Sequence, residues 1–253
     1  MTSIKKVRLT RLSPRGLVGV DDLVAAEEPL VIYVNGKPLV SLFCTPDAVR
    51  ALAVGFLYAS GILKDKNDVA SAKIEVKEKA VLVKLDRPFP KELQLGVGSG
   101  CGGSLLFGPT GLIAPLKADL KVSPEMIFSL IKEFQNRALI FKETGGTHCA
   151  GVCRPEEILF FAEDIGRHNA VDKVIGQALL GGIPLEDKLL LLSGRIAYDI
   201  SIKAARSGIP ICVSRAAPTS AALEFGERIG LTVIGFVRGK RMNIYTHPER
   251  IIL

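Results

Sequence analysis

Residues 158–180 read ILFFAEDIGRHNAVDKVIGQALL, and this stretch decides the fold class. A short apolar run at 158–162 predicts a buried strand. Apolar residues at helical spacing from His168 to Leu180 then predict an amphipathic helix, and Gly181 follows where a helix should end. Between the two lies a polar turn that contains Asp164, Arg167 and His168. The stretch therefore predicts a strand followed directly by a helix.

The same alternation continues to the end of the chain. Apolar strands are predicted at 189–192, 209–213 and 231–237, helices at 196–206 and 219–229, and an edge strand at 242–245. Gly208 and Gly230 stand at the expected helix ends. Short apolar strands that alternate with amphipathic helices are typical of a mainly parallel sheet covered by helices. The fold class is therefore α/β.

The first third of the chain has a different pattern, which predicts antiparallel sheet around one helix. Residues 30–34 and 38–44 flank Asn35-Gly36, a strong hairpin signal, and 73–85 indicates a second hairpin that turns near 78–79. Thr45 and Pro46 predict the N-cap and first turn of a helix that ends at Gly61, and a short stretch at 7–12 predicts a strand. We predict a smaller α+β subdomain at 1–118 and an α/β domain at 119–253, which opens with a helix at Ser123.

Composition limits the possible functions. No apolar run reaches the ~18 residues of a membrane span, and the basic N-terminus lacks a secretory apolar segment, so we expect a cytoplasmic protein with no membrane contact. The five cysteines are an odd number in a chain of 253 residues, which favours reduced thiols over a disulfide framework. The formal charge of +7 suits an anionic ligand, but aromatic residues are only 6% and interleave with no basic tract. Nucleic acid is therefore not expected.

Arginines recur at the carboxyl ends of the predicted strands. The four ends lie at 164–168, 193–195, 214–215 and 238–241, and each contains an arginine. Ligands of open α/β sheets bind at this edge, where helix N-termini and arginine forks suit phosphate oxygens. At any single end, a capping residue beside a solvated arginine is an adequate explanation. Four coincident ends favour an anionic ligand with several phosphates.

Residues 96–104 read GVGSGCGGS, with five glycines around Cys101. The segment fits G-x-G-x-x-G formally, but no long helix can follow it, and no Gly-Lys-Ser/Thr marks a phosphate loop. The glycines instead leave Cys101 accessible and mobile, as a thiol that meets two partners in turn requires. Cys44 and Cys212, in apolar strands, are predicted to be buried small hydrophobes. We therefore predict that Cys101 is the reactive thiol.

His148, Cys149 and Cys153 could suggest a zinc site. A C-x₃-C spacing can bind zinc, but the second ligand pair is missing, since only His168 and His247 remain elsewhere in the chain. Small buried residues in a turn and strand are the favoured interpretation, and no metal is predicted.

The chain resembles the FdhD family of formate dehydrogenase accessory sulfurtransferases nearly from end to end. The motifs that carry the resemblance are EEPL (27–30), VNGKPL (34–39), AVGFL (53–57), TGGTH (144–148), EDIGRHNAVDK (163–173), SGR (193–195), SRAAPT (214–219), GFVR (235–238) and YTHP (245–248). So many motifs in the same order make the match specific.

The resemblance implies a persulfide relay. A cysteine desulfurase would donate sulfur to Cys101, which would pass it to the molybdenum of bis-molybdopterin guanine dinucleotide before this molybdenum cofactor enters formate dehydrogenase. It also implies a cytidine deaminase-like mixed sheet covered by helices, without the zinc motif of deaminases. The family's cofactor-binding stretch corresponds here to Phe236, Val237, Arg238, Gly239, Lys240 and Arg241. We add Arg195, Arg215 and His168 as candidate cofactor contacts, with a structural role for His168 equally open.

Two departures from the family pattern matter. Many members have C-x-x-C in the loop, whereas Ser104 occupies the second position here, so Cys101 would act without a resolving thiol. Cys149 replaces what is commonly a small residue without a thiol. Two alternatives stay open, namely a chaperone that binds the molybdenum cofactor without carrying sulfur, and a zinc hydrolase that uses Cys149, Cys153 and a histidine. A homodimer is possible.

Overall fold

The computed structural model describes residues 2–87 and 113–252, and between them the backbone of two short strands at 96–97 and 105–106. The strands are β1 (Ile4–Ser13), β2 (Gly16–Ala25), β3 (Glu28–Val34), β4 (Lys37–Cys44), β5 (Lys73–Lys77), β6 (Ala80–Lys84), β7 (Gly96–Val97), β8 (Leu105–Leu106), β9 (His148–Cys153), β10 (Ile158–Asp164), β11 (Leu189–Leu192), β12 (Ile211–Ser214), β13 (Thr232–Arg238) and β14 (Arg241–Ile244). The helices are α1 (Val49–Ala59), α2 (Lys66–Ser71), α3 (Pro124–Arg137), α4 (Leu139–Thr144), α5 (Arg167–Leu180), α6 (Tyr198–Arg206) and α7 (Ser220–Ile229), with a 3₁₀ turn at Pro248–Arg250.

The larger sheet has six strands in the order β10-β9-β11-β12-β13-β14. Only β11, β12 and β13 pair in parallel, so the expectation of a mainly parallel sheet is wrong. The difference arises because β9 pairs antiparallel with both β10 and β11. Since two reversals cancel, β10 still runs in the same direction as β11 to β13. The carboxyl ends of these four strands therefore meet at one edge, as the sequence predicts.

Helices cover both faces of this sheet, and the mixed α/β class is confirmed. The side chains of β11 and β12 are buried throughout, which explains their continuous apolar sequences. One face packs against α5, α6 and α7. The other packs against α3, whose predicted core residues Ile127, Leu130, Ile131 and Phe134 are all buried.

The smaller sheet has the order β4-β3-β6-β5. Asn35 and Gly36 adopt positive φ in the predicted first hairpin, and Lys79 does so in the second. The central pair β3–β6 is parallel, however, which the prediction of purely antiparallel sheet missed. One hydrophobic core runs from this sheet through α1 and α5 to the larger sheet. The domain division at residue 118 stays a prediction.

Helix α1 crosses α5 at two glycines. A Cβ on Gly55 would lie 1.8 Å from the carbonyl oxygen of Asp172, and a Cβ on Gly176 would lie 1.9 Å from that of Ala51. No other residue fits at this crossing, because side chains never approach a backbone so closely. The two sheets are therefore joined by direct helix–helix contact.

The predicted start of α1 is wrong. The helix begins at Val49 after Ala48, which adopts left-handed backbone angles and offers no capping side chain. Thr45 is engaged elsewhere, since its backbone N–H and its hydroxyl both donate to Asp164, at 3.1 Å each. A residue that satisfies a buried carboxylate is not available to cap a helix.

Strands β1 and β2 form a separate two-stranded ribbon, of which the sequence predicts only the first strand.

Cys101 and the rest of 98–104 lie outside the described residues. Among those that are described, no helix is both long and apolar enough to cross a membrane.

Candidate functional site

The carboxyl edge of the larger sheet brings together the predicted arginines. Arg195 follows β11, Arg215 follows β12, and Arg238 ends β13, while Arg241 opens the returning strand β14. All four side chains are exposed. Three parallel strands end at this edge and the antiparallel strand β14 begins there, so the clustering follows from the topology rather than from proximity in sequence.

The end of β13 is shaped by an irregular backbone. Phe236 has a φ of 53°, and the pairing with β14 shifts register between Gly235 and Arg238. The Phe236 N–H donates to the carbonyl of Ala216 at 3.1 Å. The Arg238 guanidinium lies 6.0 Å from the centre of the Phe236 ring, at the outer limit of a cation–π contact.

The remaining members of the predicted cofactor-binding stretch differ in accessibility. Gly239 and Lys240 are exposed in the turn before β14, and Gly239 has a φ of 59°. Val237 is 1% exposed and packs in the core against α3. Its side chain therefore anchors the strand, and only its backbone is near the edge.

His168 lies beneath this edge rather than on it. Its Nε2 is 2.8 Å from Oδ2 of Asp199, and both side chains are buried. Burial opposes ionisation of Asp199, but the hydrogen bond and the charge of His168 outweigh it and lower the pKa of this carboxyl. The buried Nδ1 of His168 has no partner among the described residues. The pair joins the first turn of α5 to that of α6.

His148 opens β9 at the same edge, beside the arginines. Its Nδ1 is 3.4 Å from the Ser193 hydroxyl oxygen, which itself accepts the N–H of Cys149 at 2.8 Å. Burial is the main cause that lowers the pKa of His148, and the charge of Arg167 adds to it. A neutral imidazole is therefore expected here near neutral pH.

A cavity of about 540 Å³ opens between this edge and helices α3 and α4. Its polar lining includes His148, Ser193 and Arg215, while Phe134 and Phe141 supply apolar walls. Apolar walls with a few convergent polar groups are typical of small-molecule sites. The cavity therefore suits a ligand with an apolar part and an anionic part that meets Arg215.

Glu163 fixes one wall of the cavity. Its carboxylate accepts the N–H groups of Ile140 and Phe141 at the start of α4, at 2.8 Å each, and the hydroxyl of Thr147 at 2.9 Å. Cys149 is the remaining contact, with its Sγ 3.8 Å from Oε2. Because α4 has no capping side chain of its own, Glu163 serves as its cap from a neighbouring strand.

The zinc hypothesis finds no support in this geometry. Burial, together with the Glu163 carboxylate, raises the pKa of Cys149 to about 12, and burial raises that of Cys153 as well. A protonated thiol is a poor nucleophile. Within 2–87 and 113–252, no group of three or more His, Cys, Asp or Glu could hold a metal ion. Cys44 and Cys212 are buried, as predicted.

A buried ionic network lies under the edge, and the sequence did not reveal it. Lys173 is 0% exposed and forms an ion pair with Asp164 at 2.8 Å, together with hydrogen bonds to Thr45. Asp164 also accepts the amide of Asn169 at 2.9 Å. These residues tie the end of β4 to the start of α5. Asp164, Asn169 and Lys173 stand together in the motif EDIGRHNAVDK, which was a signal. Their partner Thr45, directly after β4, could not be found from that motif.

Fold and edge together define a class, namely a mixed α/β protein with a cationic cleft at the carboxyl edge of its sheet. The chain belongs to the FdhD/NarQ family, whose model matches residues 25–252. It is 39% identical to the sulfur carrier protein FdhD of Saccharolobus solfataricus over 98% of both chains. It is 38% identical to that of Halalkalibacterium halodurans over 97% of this chain and 94% of the relative.

A solved structure agrees with the fold. The crystal structure of a putative formate dehydrogenase accessory protein from Desulfotalea psychrophila superposes with a TM-score of 0.84 at 30% identity. The match covers 99% of this chain and 100% of that one. The family assignment therefore holds for sequence and structure alike.

Proposed function

We propose that this chain is a cytoplasmic sulfurtransferase that carries sulfur on Cys101 from a cysteine desulfurase to the molybdenum cofactor of formate dehydrogenase. The relatives' name, sulfur carrier protein FdhD, supports the carrier role. The observation that carries the proposal is the convergence of Arg195, Arg215, Arg238 and Arg241 at one edge of the sheet, where Arg215 also lines the cavity. Bis-molybdopterin guanine dinucleotide, the substrate, offers several phosphates and flat rings to such an edge.

Sulfur transfer to Cys101 needs no outside oxidant. The Cys101 thiolate attacks the outer sulfur of the donor's persulfide, the donor's S–S bond breaks, and the donor cysteine leaves as a thiolate. A new S–S bond on Cys101 then holds the sulfur. In the second transfer, the S–S bond on Cys101 breaks as a molybdenum–sulfur bond forms. The molybdenum substrate is oxidised by two electrons, which reduce this sulfur to sulfide, and Cys101 leaves as the thiolate.

The buried thiols leave this role to Cys101. The raised pKa values of Cys44, Cys149 and Cys212, each about 12, keep these thiols protonated near neutral pH. Since the thiolate is the nucleophile, they are poor carriers. Cys101 stands in a sequence of small residues, GVGSGCGGS, which predicts an accessible thiol.

The relay is tested by intact mass after incubation with a cysteine desulfurase and cysteine. We expect an addition of one sulfur to the wild type and none to Cys101→Ala. Cys149→Ala is the matched control and should retain the addition. No addition in the wild type would leave only the alternative, a chaperone that binds the molybdenum cofactor without carrying sulfur. The same addition in Cys101→Ala would assign the sulfur to another thiol and reject the role of Cys101.

The arginine edge is tested with guanosine diphosphate as a fragment of the substrate. Arg238→Ala should weaken its binding about tenfold or more, because one charge-assisted contact to phosphate is lost. Arg154→Ala is the matched control, since Arg154 is exposed directly after β9, at the opposite edge of the same sheet. Equal affinities of the two variants would show that the edge arginines are only surface charge.

A further inference from the structure

The β1–β2 ribbon leaves apolar side chains uncovered. Leu12 and Leu17 face each other across the ribbon near its turn and are 77% and 71% exposed, and Val18 beside them is 52% exposed. Among the described residues the ribbon pairs with no third strand. A two-stranded ribbon is only marginally stable in water, and clustered exposed leucines are typical of a contact surface.

The ribbon also concentrates positive charge. Residues 4–25 contain five Lys and Arg against two Asp, a net charge of +3 out of +7 for the whole chain. Lys6 and Arg8 share one partner, Asp21, so that this cluster keeps an excess positive charge. Arg15, in the turn beside the leucines, has no ion-pair partner among the described residues. The ribbon end is thus apolar in its centre and cationic at its rim.

The base of the ribbon adjoins the cavity. A Cβ on Gly146, which lines the cavity, would lie 3.1 Å from the Cβ of Ala25 at the end of β2. Next to this contact, Leu139 and Phe141 of α4 are 63% and 49% exposed, and Phe141 also lines the cavity. The ribbon end lies eight residues further along β2, roughly 26 Å from this contact at about 3.3 Å per residue, so a protein held there would face the cavity across the length of the ribbon.

We propose that the ribbon end, defined by Leu12, Arg15, Leu17 and Val18, docks into an apolar hollow with an acidic rim on the protein that receives the ligand. The inference rests on the proposed function, under which that protein is formate dehydrogenase. The positive charge of the ribbon favours an acidic rim on the partner, and the uncovered leucine pair favours an apolar centre in the partner's hollow.

Three other occupants fit less well. A second copy would bring like-charged ribbons together, which is unfavourable. A membrane surface would be met by only two leucines and one valine, which is a small apolar area for stable insertion. A nucleic acid would meet leucines where stacking aromatic residues are usual.

The test measures binding of the full-length chain to purified formate dehydrogenase lacking its molybdenum cofactor. We expect Leu12→Ser/Leu17→Ser to weaken binding at least about tenfold, because both anchors are lost. Arg15→Glu should weaken it more at low than at high salt, since its contribution is electrostatic. Val76→Ser and Lys84→Glu, exposed on β5 and β6 of the smaller sheet, are the matched controls and should bind like the wild type. Circular dichroism verifies that each variant is folded.

The outcomes separate the docking surface from the relay. If Leu12→Ser/Leu17→Ser and Arg15→Glu bind like the wild type, or no more weakly than the controls, the docking proposal is overturned. It is also overturned if these variants change only self-association, vesicle binding or nucleic-acid binding. Sulfur loading of Cys101 by the desulfurase is measured on the same samples. Normal loading together with unchanged enzyme binding would reject the docking surface alone, whereas absent loading in the wild type would reject the relay.

Discussion

The ion pair of Asp172 and Lys203 holds α5 and α6 in register beneath the site, and Asp172→Asn should destabilise the protein strongly. Lys203 Nζ lies 2.6 and 2.5 Å from the two carboxylate oxygens, and the two side chains are 1% and 2% exposed. Asparagine preserves the shape but leaves the ammonium buried without a countercharge. Loss of one partner from such a pair costs about 3–5 kcal/mol.

This cost converts into a measurable melting shift. The entropy of unfolding is roughly 2 cal/mol/K per residue, or about 0.5 kcal/mol/K for a chain of this length. A loss of about 3–5 kcal/mol therefore lowers Tm by about 6–10 °C. Thermal unfolding and guanidinium titration should agree, with an unchanged m value.

Two controls make the result decisive. Asp172→Leu/Lys203→Met removes both charges and should recover most of the stability, because no unpaired charge remains. Glu133→Gln breaks a surface ion pair with Arg137, whose side chains are 44% and 41% exposed, and should cost less than about 1 kcal/mol. If Asp172→Asn costs no more than Glu133→Gln, or the double variant is as unstable as Asp172→Asn, the pair does not hold the helices as reasoned.

Two further predictions concern the helix crossing and the cleft. Gly176→Ala should lower the free energy of unfolding by about 3 kcal/mol, because its Cβ would meet the carbonyl of Ala51 at 1.9 Å. Gly55→Ala should have a similar effect. Denaturant titration of both single variants and of the double variant should show losses that do not add, since one separation of the two helices relieves both clashes. The lowered pKa of His148 means that its contribution to stability is complete above pH 6.5 and is lost as the pH falls through the folded-state value. His148→Gln should therefore lose less stability between pH 7 and pH 5 than the wild type, and an NMR titration that gave a pKa of 6.5 or above for His148 would contradict this.

Local patterns predicted much of the fold. Asn35-Gly36 predicted the first hairpin, because both residues tolerate the positive φ of its turn. Alternation of apolar strands with amphipathic helices predicted β10 to β13 and α5 to α7, since buried strands and half-buried helices differ in period. The short helices α2 and α4 were missed, because six residues carry too little periodicity.

The candidate site was predicted only in part. The arginines at strand ends were found because strands that run in the same direction end at the same edge of a sheet, even when an antiparallel strand such as β9 is inserted between them. The cavity beside α4 was not found, since it depends on Glu163, which caps that helix from β10 through tertiary contact. For His168 a ligand contact and a structural role were both left open, and the structure places it in a buried pair with Asp199, 31 residues away.

The sequence by itself determined the family, the α/β alternation and the set of arginines, because each depends on neighbouring residues or on strand direction. Only the tertiary structure decided the insertion of β9, the pairing of Lys173 with Asp164 and Thr45, and the uncovered ribbon end. The same physical reason explains all three features. Strand order, buried charge pairs and surface exposure are set by residues far apart in the chain, which no local pattern records.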